Sequence, residues 1–355
     1  MKIEKQSILT SIKEVTNDYE NINVEELIED ISIKDGNIVV VLLARNQSNA
    51  EELEPVRSLI QKKLKSIKGV TSVTVVITAE KQSTNTNDKN KSLKIKYIIA
   101  IASGKGGVGK STVAVNTAMA LKLEGFKVAL LDADIYGPSL PRMMSISQKP
   151  KTNSLNKILP VESYGIKCMS IGMVVDEEKP VIWRGPMVQG AIQQLIYDVE
   201  WDILDFLIID LPPGTGDAQL TISQKIPLTG AIIVSTPQDI ALLDARKGLN
   251  MFRQVDVPIT GMIENMSYYI CQNCGNKDHI FGHNGAKNTA ENMDVNFLGA
   301  IPLNSFVRES GDSGQPIVIS KPESTEAIAF KNIARKIIDG LEQSKSLTLP
   351  EITIA

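Results

Sequence analysis

Apolar positions in the first eighty residues follow two periods. Ile8, Ile12 and Val15 recur at helical spacing, and Val56, Leu59, Ile60, Leu64 and Ile67 line one face of a second predicted helix over Glu51–Ile67. Between them, Ile31–Ile33 and Ile38–Leu43 flank Asp35-Gly36, the pattern of a β-hairpin. Val70–Thr78 alternates as a closing strand. Residues 1–80 therefore predict a small α+β domain. It contains no Cys or His and no constellation suited to catalysis, so it is expected to be a docking or regulatory module.

Residues 81–95 begin KQSTNTNDKNKSLK, polar and almost without apolar side chains, which predicts a flexible linker. Beyond it the pattern changes. Short continuous apolar runs at Tyr97–Ala102, Val128–Asp132, Phe206–Asp210, Ala231–Ser235, Ile259–Ile263 and Phe297–Ile301 alternate with helical segments. The clearest of these are Ser111–Leu123, Met187–Tyr197, Leu242–Arg253 and Thr325–Leu341. Runs buried on both faces, separated by helices, predict an α/β fold: a mainly parallel sheet covered by helices over residues 96–343, with a tail at 344–355. Ligands in such sheets sit at the carboxyl ends of the strands.

Composition narrows the function classes. A net charge of -3 on 355 residues argues against a dedicated nucleic-acid binder. No apolar run approaches the ~20 residues of a membrane span, and no targeting segment is evident, so a cytoplasmic protein is expected. Three cysteines are too few for a disulfide framework, which points to a reducing compartment. Cys168 falls in the apolar stretch Ile166–Ile171, as a core residue does.

The first chemical motif follows the Tyr97–Ala102 run. Gly104-Lys105-Gly106-Gly107-Val108-Gly109-Lys110-Ser111 matches G-x-x-x-x-G-K-[ST], and Thr112 continues into the predicted helix. Glycines let backbone N–H groups turn inward around a triphosphate, and the helix N-terminus adds positive potential. Lys110 is expected to reach the β and γ phosphates of ATP and Ser111 to ligate Mg²⁺. Asp210, ending a buried run before Leu211-Pro212-Pro213-Gly214, suits the other side of the Mg²⁺ shell. Asp132 is either structural or part of the metal site. Gly214 and Gly216 give the next loop freedom to respond to the γ-phosphate.

The second motif is Cys271-Gln272-Asn273-Cys274. Thiolates two residues apart can turn onto one metal centre. Two ligands do not complete a tetrahedral site, which leaves several readings. A second copy of the chain supplies another pair, or His279 and His283 complete a zinc site within one chain. A redox disulfide and two incidental thiols are the remaining readings.

These motifs occur in one order with Asp132-Ala133-Asp134-Ile135-Tyr136-Gly137-Pro138-Ser139, Trp183-Arg184-Gly185-Pro186-Met187 and Asp210-Leu211-Pro212-Pro213-Gly214-Thr215-Gly216-Asp217. The set closely resembles the Mrp/ApbC family of P-loop ATPase iron–sulfur carriers, from Lys96 to Leu341. The resemblance implies a homodimer that holds a [4Fe–4S] cluster between two C-x-x-C pairs. It also implies cluster exchange with assembly scaffolds and recipient apoproteins, linked to ATP binding or hydrolysis. By the same resemblance Lys105 reaches across the dimer to the partner's nucleotide, Asp134 positions the attacking water and Asn265 hydrogen-bonds the base. The bacterial accessory domain often carries a D-P-E motif, where this chain reads Thr16-Asn17-Asp18-Tyr19-Glu20-Asn21, so a role tied to that motif is not implied. A partition or cell-division-positioning ATPase would share the P-loop, but it would call for a basic surface or tail and gives the cysteines no work.

Overall fold

The structure, a computed structural model, describes residues 5–16, 27–34, 37–44, 53–67, 70, 72–79, 93–174 and 185–346. Residues 81–92 of the expected linker, the Asp35-Gly36 turn, residues 17–21, Trp183, Arg184 and residues 347–355 of the tail lie outside the described residues. The chain divides into two compact units, 1–92 and 93–355.

In the first unit, helices Lys5–Thr16 and Glu54–Lys65 accompany strands β1 (Ile28–Lys34), β2 (Asn37–Ala44) and β3 (Ser72–Ala79). β1 and β2 pair antiparallel and β3 joins β2 in parallel. The parallel pairing needs the crossover that the second helix supplies. That helix opens with Pro55 in its first turn, where a missing N–H costs nothing. Ile8, Ile12, Ile38, Val40, Leu42, Val56, Ile60 and Leu64 are among the buried residues of the core, whereas Leu59, expected on the same helix face as Val56 and Ile60, is exposed.

The second unit runs through β4 (Ile95–Ala102), β5 (Val128–Asp132), a short β6–β7 pair (Lys151–Thr152 and Ile158–Leu159), β8 (Val161–Ser163) and β9 (Ile166–Ser170). It continues with β10 (Leu204–Asp210), β11 (Gly230–Ser235), β12 (Ile259–Glu264), a β13–β14 ribbon (Tyr269–Ile270 and Lys277–Asp278) and β15 (Phe297–Ala300). Eight strands form one sheet in the order β15-β12-β11-β4-β10-β5-β9-β8, parallel throughout except for β8 at the edge. This is the mainly parallel α/β architecture that the alternation predicts. β4, which leads into the glycine-rich motif, is central. Its burial, like that of β5, β10 and β11, is nearly complete, which explains why these strands read as continuous apolar runs.

The helix after β4, Lys110–Leu123, is small or apolar on most sides and is buried over most of its length. It packs against β4, β5 and β10 and against the long helix Thr325–Ser346. Asn116 in its middle donates to the Thr112 carbonyl and accepts from the Val318 N–H, so this buried amide is satisfied. A helix held so firmly gives its N-terminus a fixed position at the carboxyl edge of the sheet. Among the described residues no helix is long and apolar enough to cross a membrane.

Candidate functional site

Four strands deliver the site to one edge. β4 ends at the glycine-rich loop, β5 at Asp132, β10 at Asp210 and β12 at Glu264. The parallel register sets Asp210 beside Asp132 on one flank and beside Ile101 on the other, so two carboxylates arrive side by side.

The loop's glycines serve different ends. Gly107 and Gly109 have φ of 83° and 82°, left-handed values that other residues rarely adopt. Gly104 is needed for contact: a Cβ there would lie 2.1 Å from the backbone carbon of Asp244, in the helix Asp239–Gln254. Ser103 Oγ donates to the Lys105 carbonyl at 2.9 Å, and Gly214 N–H donates to the Ser103 carbonyl at 2.9 Å. The loop after β10 is thereby tied directly to the glycine-rich loop. Val108 is buried, whereas Gly106 and Gly107 are exposed with open space around them.

Lys110 is 5% exposed. Its Nζ donates to Asp210 Oδ1 at 2.5 Å and stands 3.5 Å from Asp134 Oδ2 and 3.4 Å from Ser111 Oγ. The Ser111 hydroxyl also favours the ionised Asp210 carboxyl. Burial raises the Asp210 carboxyl, and the Lys110 ammonium opposes that rise. Asp134 Oδ1 is buried and has no hydrogen-bond partner among the described residues. Lys105 is half-buried, and its ammonium pairs with no carboxylate among the described residues.

Asp132 resolves toward the structural alternative. Its Oδ1 accepts from Asp134 N–H at 3.0 Å, and its Oδ2 accepts from Ser139 N–H, Leu140 N–H and Ser170 Oγ at 3.0, 3.2 and 3.0 Å. Burial and then the neighbouring Asp210 carboxylate push it up to about 7, against the pull of those donors. All four contacts shape the turn that presents Asp134.

Beside the loop lies a cavity of about 670 Å³, lined among others by Gly109, Thr112, Asn265, Pro302, Asn304 and Arg308. Asn265 is buried, and its Nδ2 donates to the Val108 carbonyl at 2.8 Å. It therefore braces the glycine-rich loop as well as facing the cavity. The N-terminus of the helix Lys110–Leu123 opens at the cavity wall, through Gly109 and Thr112.

Past Asn265 the chain leaves the sheet as the loop that carries the cysteines. The β13–β14 ribbon brackets them, Cys271 N–H donates to the Asn276 carbonyl at 2.9 Å, and Gly275 N–H donates back to the Cys271 carbonyl at 2.8 Å. Cys271 is half-buried and Cys274 exposed, both free thiols. Backbone N–H groups of Cys274 and then Asn273 hold the Cys271 thiol below its ordinary range, the condition a thiolate ligand needs. His279 Nδ1 faces the Ser267 carbonyl at 3.3 Å, and its ring meets that of His283 edge-on at 4.2 Å. Among the described residues no three His, Cys, Asp or Glu side chains gather as one metal ion requires. The single-chain zinc set is not assembled.

Cys168, on β9, is buried, and burial pushes its thiol up to about 12. Two contributors have no motif to mark them, Ser170 and Glu264, each acting through contacts that the fold creates.

Comparisons with known proteins agree with this geometry. A family profile described as "ParA: NUBPL iron-transfer P-loop NTPase" matches residues 94–338. The "Iron-sulfur cluster transfer protein NUBPL" of Dictyostelium discoideum is 54% identical over 246 residues, covering 69% of this chain and 76% of its own. The "Iron-sulfur cluster carrier protein" of Synechocystis sp. is 44% identical over 321 residues, 88% of this chain and 90% of its own. That stretch is longer than the 93–355 unit and so reaches into the first one. Among solved structures, a nucleotide-binding protein from Archaeoglobus fulgidus in complex with ADP is 37% identical with a TM-score of 0.59, covering 67% of this chain and 93% of its own. The cell division ATPase MinD of Pyrococcus furiosus is 26% identical with a TM-score of 0.54, covering 69% of this chain and 99% of its own.

Proposed function

The chain belongs to the ParA family of NUBPL iron-transfer P-loop NTPases, and from that premise we propose that it is an ATP-dependent iron–sulfur cluster carrier. In this reading two copies hold one [4Fe–4S] cluster as cargo between their Cys271 and Cys274 pairs and pass it to apoproteins. The observation that carries it is the cysteine loop itself. It supplies two thiols two residues apart, and no third ligand among the described residues stands near enough to close a site in one chain. A two-fold axis supplies the missing pair without a further motif.

The nucleotide half follows from residues at the same sheet edge. Backbone N–H groups of Gly104 to Thr112 cradle the ATP phosphates, and Lys110 is within reach to exchange a carboxylate for a phosphate oxygen. Ser111 and Asp210 would hold Mg²⁺, which neutralises charge on the triphosphate. The donor set suits it: a hydroxyl and a carboxylate that both meet the Lys110 ammonium. Asp134, whose Oδ1 is unpartnered among the described residues, accepts a hydrogen bond from the attacking water and aims it at the γ-phosphorus. Asn265 orients the base. Lys105, which pairs with no carboxylate among the described residues, neutralises the partner's phosphates, so dimer closure responds to ATP.

Recipient apoproteins and assembly scaffolds are the partners this reading requires. The 1–80 domain serves them as a docking module, and a reducing, cytoplasmic setting keeps the thiols unpaired. A cell-division-positioning role would use the same P-loop but leaves the cysteine loop idle. Anaerobic reconstitution tests the proposal: the dimer gains iron, sulfide and a broad absorption near 400 nm, and Cys271→Ala or Cys274→Ala abolishes all three. Zinc without sulfide in the wild type would refute it.

A further inference from the structure

Glu264 is the last residue of β12 and is 1% exposed. A carboxylate so deep is costly unless each oxygen finds donors. Both do, and the donors come from opposite ends of the cysteine loop. Oε1 accepts from Ser267 Oγ at 2.5 Å, where the loop departs, and Oε2 accepts from Ala286 N–H at 2.6 Å, where it returns into the helix Gly285–Asn292. The Ala286 N–H belongs to the first helical turn, where backbone donors lack intrahelical partners. Both contacts are short, as charge-assisted hydrogen bonds are.

The rest of the loop's base is equally confined. Ser267 N–H donates to the Ile301 carbonyl at 2.9 Å, and Leu303 N–H donates to the Tyr268 carbonyl at 2.7 Å. On the returning side a Cβ on Gly285 would lie 2.6 Å from the Pro237 carbonyl oxygen. Between these ends the chain is ordered by contacts within the loop itself: the two-residue ribbon, the Cys271–Asn276 turn, the bond from Gly282 N–H to the His279 carbonyl and the contact of His279 Nδ1 with the Ser267 carbonyl. The thiols therefore inherit their position from the closure at the base.

From this we infer that Glu264 is a positioning residue for the cysteine pair: one carboxylate clasps both ends of the loop and so sets where Cys271 and Cys274 meet their counterparts. The inference rests on the carrier reading for what the thiols bind, but the clasp itself does not. It touches neither cysteine, and its action passes through Ser267 and Ala286. Symmetry amplifies its importance, because any shift of the loop in one copy is repeated in the other and the four thiols separate by both displacements. Asn265, the next residue, binds the Val108 carbonyl, so the clasp and the glycine-rich loop stand on the same strand end.

The test compares the full-length wild type with Glu264→Gln, which keeps size but can satisfy only one of the two donors, and with Ser267→Ala, which opens one end. In cluster-free protein, amide exchange across residues 267–284 should accelerate about tenfold, the factor expected for one lost charge-assisted hydrogen bond. The relative alkylation rates of Cys271 and Cys274 should change with it. In reconstituted protein, cluster loss to a chelator should quicken by a similar factor. Unchanged exchange, or faster exchange with unchanged thiol reactivity and cluster loss, would overturn the inference. Should Glu264→Gln not fold, Ser267→Ala decides alone. If the wild type holds no cluster, the carrier reading fails, and exchange and alkylation still decide the clasp.

Discussion

Lys110 Nζ lies 2.5 Å from Oδ1 of Asp210, and each of the two side chains is 5% exposed. Asp134 is the second carboxylate on the same ammonium. One cation thus compensates a cluster of acids that would otherwise be buried without a partner. Lys110→Ala should cost about 3–5 kcal/mol of stability, the typical penalty for breaking a buried pair from one side. It should also lose nucleotide binding. Denaturant titration and a fluorescent-nucleotide binding assay check both, and retained ATP turnover would remove this lysine from the mechanism.

The glycines of the loop separate by what surrounds them. Gly104→Ala drives a Cβ into the Asp244 backbone, which cannot step aside as a flexible side chain could. Overpacking of this kind costs ~1–3 kcal/mol or more. Gly106→Ala meets nothing within 4 Å and should change stability by less than about 1 kcal/mol, while its methyl group crowds the phosphate cradle. Melting temperatures of the two variants should therefore diverge, with nucleotide affinity falling in both.

Asp132→Asn keeps one oxygen for three donors but turns an amide toward the Asp134 N–H or loses the others. The expected cost is about 1–3 kcal/mol. Because the turn presents Asp134, ATP turnover should fall roughly ten- to a hundredfold, the scale of a small misplacement at a reacting centre. Nucleotide affinity should change little. Steady-state kinetics beside equilibrium binding measures the split.

The thiols should titrate apart. The Cys271 pKa is depressed below its ordinary value of 9.0, so thiolate persists as pH falls and alkylation has its midpoint below 9. Cys168, at about 12, is thiolate in only about one molecule in ten thousand at pH 8 and should resist alkylation until the protein unfolds. Mass-spectrometric alkylation profiles between pH 6 and 9 give the comparison. Equal rates at Cys168 and Cys271 in folded protein would contradict it.

How legible the chain was depended on the reach of each interaction. The P-loop could be read because its glycines, Lys110 and Ser111 are neighbours in sequence and their chemistry is local. The central strands could be read because burial on both faces leaves continuous apolar runs. β8 and β9 could not, since these short strands gain their place from β5, and the apolar stretch around Cys168 alone predicts only a core. Asp132 looked equivocal because its role depends on Ser139, Leu140 and Ser170, which the fold brings to it. Glu264 is the extreme case: its partners lie three and twenty-two residues away, and nothing in the string of letters marks a carboxylate as a clasp.

The central claim is that two chains share one cluster through Cys271 and Cys274. Its most direct test measures iron, acid-labile sulfide and zinc together with subunit number after anaerobic reconstitution. The account predicts a dimer with about two iron and two sulfide per chain, one [4Fe–4S] cluster for each pair of subunits. Cys271→Ala and Cys274→Ala should lose both elements while ATP hydrolysis is retained. A monomer that retains its metal, or iron and sulfide unchanged in either variant, would contradict it.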